Sequence, residues 1–456
     1  MIKNITQKHI IIGSFATGCL YLLYLLFASQ GTSLHDEIGH FLISRDAIHS
    51  PAHIFDIWGR TVHTILYILP AQLGLFGARF LSLLMALLTV YLTLETAKML
   101  QIRLYFIVPF FLWFQPWFAD HSYMCITEVP FSLCMILGVY LHLKNRNLSA
   151  SVIIGLLPLI RHEGIALTGL WCIFLLYKKN RLPVVMAFLP LLIYNLTFFA
   201  FMGSLPFAMY FDTTPTDMYG SGSWYYFFIR LPHPRAVGIP IMLLVICGII
   251  PVIREKRLYP VLFWYFSYFA LHVIIFRFGL FASGGNKLFL MPVAPAVAFA
   301  AVMGLEWITS LIITLLKRHD TVLSRHLNER AIYTAICSIC LLWTFFFVKP
   351  YPLDSEAAAM KKAVQWIHNE NLDKNDIIST HVYLYYFLPK RVPTVTLWEK
   401  FGPLQNMAPG TIVIWDVHYS DRWNLNYDHL TDKKNKWKKM NEFGDGTVVI
   451  FQKTSS

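Results

Sequence analysis

A series of apolar runs constrains this chain more than any other feature. They fall at 10–28, 75–94, 104–118, 126–143, 183–201, 236–253, 258–276, 288–316 and 331–348, with a shorter pair inside 150–177. Most are close to the ~20 residues that a helix needs to cross the hydrocarbon of a bilayer. Charged residues make up 14% of the chain, against about 25% in soluble domains, so a single soluble domain is excluded. The charge is also unevenly spread. The last 106 residues hold 13 Lys/Arg and 12 Asp/Glu, a soluble-type density, whereas the first 350 hold 25 and 14. Residues 1–350 therefore read as a membrane body, with a first external loop at 29–74, and residues 351–456 as a small water-soluble domain. The first run continues into a polytopic pattern, which argues against a cleaved signal peptide.

Basic residues orient the spans. Lys3/Lys8, Lys98/Arg103, Lys144/Arg146, Lys178/Lys179/Arg181, Arg254/Lys256/Arg257 and Lys317/Arg318/Arg325/Arg330 fall on one side when spans alternate. The positive-inside rule makes that side cytoplasmic. The pair at 150–177 then enters and leaves from the cytoplasm as a hairpin broken at Arg161-His162-Glu163-Gly164. About eleven helices result, with the N-terminus inside and the C-terminal domain outside. The formal net charge of +12 thus sets topology, and nucleic acid is not an expected partner. No internal repeat is visible. The cysteines lie in or beside apolar runs, so they read as small packing residues with no disulfide framework.

Eight of the fourteen acids in the membrane body map to the outer side: Asp36, Glu37, Asp46, Asp56, Asp120, Glu128, Asp212 and Asp217. Asp46 and Asp56 read as solvated loop charges. Asp36 and Asp120 abut helix ends, each beside a histidine, and a charge near hydrocarbon is costly. Glu128 opens a helix, where it also favours the macrodipole. Cations share this level against the topological trend. Arg60, Arg79 and Lys287 suit an anion, and Arg161 sits at the hairpin break. Arg79 reads equally well as a snorkelling anchor. Lys287 follows two glycines at a helix start, where backbone N–H groups can join it around a phosphate. A carboxylate with phosphate-binding cations at one membrane face suits transfer from a lipid-linked phosphate donor: the acid takes a proton and the cation meets the leaving phosphate.

The order of motifs carries a family resemblance. Leu34-His35-Asp36-Glu37 follows the first helix, then Trp58-Gly59-Arg60 leads into Leu66-Tyr67-Ile68-Leu69-Pro70. Gly77-Ala78-Arg79-Phe80-Leu81-Ser82 comes next, then Thr127-Glu128-Val129-Pro130-Phe131 and Leu159-Ile160-Arg161-His162-Glu163-Gly164. Asn286-Lys287-Leu288-Phe289-Leu290-Met291-Pro292 precedes the last spans. Together these resemble the GT-C superfamily of membrane glycosyltransferases. Within it, the chain is similar to the bacterial protein-mannosyltransferase-like group that includes the lipid A aminoarabinose transferase.

The resemblance implies a polyprenyl-phosphate sugar donor and an inverting, metal-independent displacement, with neither cofactor nor metal. It makes Asp36 the base and Glu37 its neighbour, Arg60 a donor-phosphate contact, and Asp120 and Glu128 part of the sugar and acceptor site. Arg79 and Lys287 join the phosphate-binding set, and His121, Arg161 and Glu163 are possible substrate contacts. The Arg-Tyr pair usual before the late helix is Lys287-Leu288 here, and the proline of the Arg-Pro-Glu-Gly hairpin is His162. The acceptor is a lipid, a polysaccharide or a protein, and the location a bacterial inner membrane. A flippase or transporter of a lipid-linked glycan is the alternative, but it would place charges at the bilayer midplane and often repeats its halves.

In the C-terminal domain, 355–370 reads as an amphipathic helix burying Ala359, Ala363, Val364 and Ile367. Strands are expected at 376–380, 394–397, 411–415 and 447–452, the last after a Gly444-Asp445-Gly446 turn. Asp416 and His418 read as a polar pair at a strand end, and the lysine-rich 433–439 as a solvated face.

Overall fold

The computed structural model describes residues 2–204, 206, 220–280, 284–318, 328–388, 390–391, 404–423 and 425–455. Asp212, Asp217, Ser283 and the strand expected at 394–397 lie outside the described residues. The chain forms two compact units, Met1–Leu26 with Arg79–Lys349, and Phe27–Ala78 with Pro350–Ser456.

The first unit is helical. Among the described residues, six helices are long and apolar enough to cross a membrane: Gln7–Ala28, Gly74–Met99, Arg181–Met202, Lys256–Arg277, Lys287–Leu316 and Glu329–Phe347. Their outward faces carry large bare apolar side chains, such as Leu20, Leu196 and Phe346, all more than 60% exposed. Such faces are unfavourable in water at about 25 cal/mol per Å² and are suited to lipid. The chain is a polytopic α-helical membrane protein. Shorter apolar helices complete the body at Glu128–Leu143, Asn147–Ile160, Gly164–Tyr177 and Ile239–Arg254.

The 104–118 run departs from the single helix expected. It breaks into a 3-10 turn and two short helices, Val108–Trp113 and Pro116–His121. Pro116 has no N–H to continue the first helix, so it starts the second. Buried Gln115 bridges the break, its Nε2 donating to Phe111 O and Ala294 O at 2.9 Å each.

Ile239–Arg254 and Ala294–Arg318 pack backbone to backbone. A Cβ on Gly304 would lie 1.8 Å from Leu244 O, and one on Gly248 2.1 Å from Ala300 O. Small residues at a shared seam permit this approach between membrane helices. Gly304→Leu is therefore expected to force the pair apart. Its thermal unfolding midpoint in detergent should fall well below that of wild type, while Leu342→Ala on an exposed helix face leaves the midpoint unchanged.

The second unit joins the first loop to the C-terminal domain. Gln30 N and Gly31 N both donate to Tyr351 O, at 2.9 and 3.0 Å, and Tyr351 N donates to Ser29 Oγ. Arg45 reaches Lys390 O at 3.2 Å. Helix Ser355–Asn369 is capped by Asp354, which accepts from Ala357 N, and it buries Ala359, Ala363, Val364 and Ile367 as expected. Among the described residues four strands follow: β1 Ile377–Ile378, β2 Ile412–Asp416, β3 Trp437–Phe443 and β4 Val448–Lys453. Their order is β1-β2-β4-β3, with β1 and β2 parallel and the other pairs antiparallel. The five lysines of 433–439 are all exposed, as expected of a solvated face, and β3 begins within the run at Trp437. Trp437 is buried, and β3 forms the edge of the sheet. Lysines on an edge discourage pairing with another chain.

Candidate functional site

In the membrane unit, the break in the hairpin is a knot of charge. Leu157–Ile160 ends at Arg161, whose backbone is extended, and Gly164–Tyr177 begins three residues later. A Cβ on Gly164 would lie 2.2 Å from the Leu157 carbonyl carbon, so only glycine lets the chain turn this tightly. Arg161 Nη1 donates to Glu128 and, at 3.1 Å, to Thr127 Oγ1. Its Nε and Nη2 donate to the two oxygens of Glu163, at 3.3 and 2.9 Å. The guanidinium also lies 4.5 Å from the centre of the Phe289 ring, and Glu163 is 3.8 Å from buried His272. Two carboxylates thus meet one guanidinium, and Arg161, read from sequence as a substrate cation, is committed to protein groups.

A basic cluster lies elsewhere in this unit. Lys287 Nζ is 3.1 Å from His233 Nδ1. Burial, Lys287, Arg230 and Arg235 together push His233 below its usual range, so the imidazole stays neutral and accepts from the ammonium. Asp120 is within electrostatic reach of Lys287. Positive φ at Gly284 and Gly285 turns the chain into the Lys287–Val293 3-10 helix. Two backbone amides there are taken within the turn: Leu288 N donates to Asn286 Oδ1 at 3.0 Å and Phe289 N to Asn286 O. Sequence reading missed three members of this basic cluster: Arg230, His233 and Arg235. Their only signal was excess positive charge on the side that disfavours it.

Asp120 and His121 are both buried, and His121 Nδ1 lies 3.0 Å from Trp117 O. Arg79, also buried, stands 5.8 Å from the Tyr123 ring centre, which sets it inside the protein rather than at a membrane surface.

In the second unit, Asp36 opens helix Asp36–Asp46 and is exposed, whereas Glu37 is fully buried. Asp46 and Asp56 are not the solvated charges expected. Both are buried; Asp46 pairs with Arg45 at 2.7 Å, and Asp56 Oδ1 accepts from Trp58 N and Gly59 N at 2.8 and 3.0 Å. That turn delivers Arg60 with φ of 60°, a conformation uncommon outside glycine that costs of order 1–3 kcal/mol.

The C-terminal domain adds a group that sequence reading did not assemble. Glu356 Oε1 lies 3.2 Å from His381 Nε2, and Oε2 lies 3.3 Å from His418 Nδ1. His35 Nε2 is 3.1 Å from Asp354, and its Nδ1 is 3.2 Å from Tyr419 Oη. Burial pushes the Glu356 carboxyl up, but His381, His35 and His418 pull it further the other way, so it stays below the usual carboxylate range. Asp416 caps the turn after β2, accepting from His418 N, Tyr419 N and Ser420 Oγ at 3.0, 2.6 and 2.9 Å.

No protein-family model matches the sequence, and no curated protein matches it. Solved structures do. The crystal structure of ArnT from Cupriavidus metallidurans bound to undecaprenyl phosphate aligns over 98% of both chains, with a TM-score of 0.65 at 14% identity. The chain has the ArnT fold. The apo form of that protein aligns over 97% of each chain, with a TM-score of 0.63 at 12% identity. ArnT is a lipid A aminoarabinose transferase of the GT-C fold, the group that the motif order resembles.

Proposed function

We propose that this protein transfers a sugar from a polyprenyl-phosphate-linked donor to an acceptor hydroxyl at the extracytoplasmic face of a bacterial inner membrane. The observation that carries this reading is the full-length likeness to an ArnT bound to undecaprenyl phosphate. The basic set around Lys287 supports it, since a lipid phosphate needs cations at the membrane face. In this reading Asp36 takes the acceptor proton as the hydroxyl oxygen bonds to the anomeric carbon. The bond from that carbon to the phosphate oxygen breaks on the opposite side, and polyprenyl phosphate leaves with the electron pair. The configuration inverts. Lys287, Arg60 and Arg79 stabilise the departing phosphate, as fixed cations do for charge that grows in a transition state. Asp120, Glu128 and His121 shape the sugar and acceptor site, and Arg161 with Glu163 fixes the hairpin break against Glu128.

Mass spectrometry of envelope lipids and glycans from a strain lacking the gene tests this. One envelope component should lose a single sugar-sized mass increment, and complementation should restore it; an unchanged envelope contradicts the reading.

Arg60 offers a sharper outcome, because its backbone strain and its charge pull in opposite directions. Glycine at this position removes the strain, so Arg60→Gly should leave thermal stability equal to wild type or higher by about 1 kcal/mol. The same change should raise the donor KM about tenfold or more, the worth of one charge-assisted hydrogen bond. Parallel unfolding and donor-saturation measurements separate the two effects.

A further inference from the structure

We propose that His35, Glu356 and His418 bind a divalent, zinc-type cation that fastens the first loop to the C-terminal domain. The three residues come from separate parts of the second unit: the turn before helix Asp36–Asp46, the first turn of Ser355–Asn369, and the turn after β2. One ligand atom from each lies within 4.8 Å of the other two. The Glu356–His418 separation of 3.3 Å is that of neighbouring donors around a four-coordinate ion, about 3.3 Å for bonds of ~2.0–2.1 Å. Nitrogen and carboxylate oxygen are the donors that zinc takes.

A second observation points the same way. His381 is completely buried, and its Nε2 pairs with Glu356 Oε1 at 3.2 Å, which leaves the other carboxylate oxygen free to face the ion. His381 Nδ1 accepts from Tyr383 N at 3.2 Å, which fixes the ring with Nε2 toward Glu356. In the proposed site His381 positions the carboxylate while its other oxygen, Oε2, ligates. Asp354 on His35 Nε2 is the kind of carboxylate partner that metal-bound imidazoles keep on their second nitrogen. A second group, Glu356, His381 and Asp416, also comes within 4.8 Å. Asp416 is already taken up by the turn it caps, so the ion belongs to the first group.

The ion would hold His35, and with it the N-terminal turn that presents Asp36, against the sheet domain. This assignment does not depend on which reaction the protein performs.

The test uses the full-length protein purified in detergent without a polyhistidine tag, stripped with chelator, and titrated with Zn²⁺ and with Co²⁺. One tight equivalent is expected, with the visible bands of low-coordinate cobalt and a zinc-dependent rise in the unfolding midpoint. His418→Ala and Glu356→Gln should each weaken that equivalent about 100-fold or more. His368→Ala, at the exposed pair with Asp373, should leave it intact. X-ray absorption of zinc-loaded wild-type protein keeps the test sharp should a variant fail to fold: imidazole scattering with no sulfur supports the site. Sulfur ligation, the absence of a tight equivalent, or one insensitive to both variants would overturn it.

Discussion

Asp36→Asn is expected to lower sugar transfer by about 10²–10⁴-fold, the usual contribution of a positioned general base, with yield and membrane insertion unchanged. The substitution keeps the side chain's shape and removes only its charge and basicity. Asp36 is exposed in the first turn of its helix, so a substrate can reach it. Losing a carboxylate there costs the helix dipole about 0.3–1 kcal/mol, too little to unfold the protein. Glu37 contrasts with it, being fully buried. Glu37→Gln should show mainly in stability, since it alters a charge inside packed protein. Transfer assays paired with thermal unfolding distinguish the two, and wild-type turnover by the Asp36→Asn protein would remove it from the mechanism.

Arg161→Met carries the second large effect. Glu128 and Glu163 are held by this one guanidinium, Glu128 buried and Glu163 largely shielded from solvent. Removing one partner of a buried pair costs about 3–5 kcal/mol, because the remaining charge is left uncompensated. The hairpin break should loosen, with a lower unfolding midpoint and greater protease sensitivity near 161–164. The cause can be separated from lost packing. Combining Arg161→Met with Glu128→Gln and Glu163→Gln removes the stranded charges and should recover much of the loss. Arg161→Lys should recover less than the triple variant, since an ammonium cannot make the forked contact with Glu163. Failure of the triple variant to recover any stability would show that shape, not charge, dominates at the break.

The membrane body was legible because hydropathy and length dictate a spanning helix almost alone. The hairpin break at Arg161-His162-Glu163-Gly164 was legible as well, from charge and glycine between two short apolar arms. Contacts across the chain were not. Arg161 carries no local sign that Glu128, 33 residues earlier, consumes its charge. Asp46 and Asp56 read as loop charges because nothing in sequence reveals that Arg45 and a tight turn occupy them. β3 was hidden by its lysines, which an edge strand exposes on purpose. The Glu356, His381 and His418 group needs a helix start, a loop and a strand end to meet, along with His35 from far earlier in the chain. Spacing along the sequence encodes none of that. β1, β2, β4 and the Gly444-Asp445-Gly446 turn, whose three residues all have positive φ, were legible because strand alternation and turn chemistry are local.

The most direct test of the central proposal is a reconstituted reaction with purified protein, a polyprenyl-phosphate sugar and an envelope-lipid acceptor. Free polyprenyl phosphate should appear one-for-one with sugar on the acceptor, and the new linkage should have the inverted anomeric configuration. Movement of intact donor across the membrane with neither product formed would contradict the account and favour a transporter.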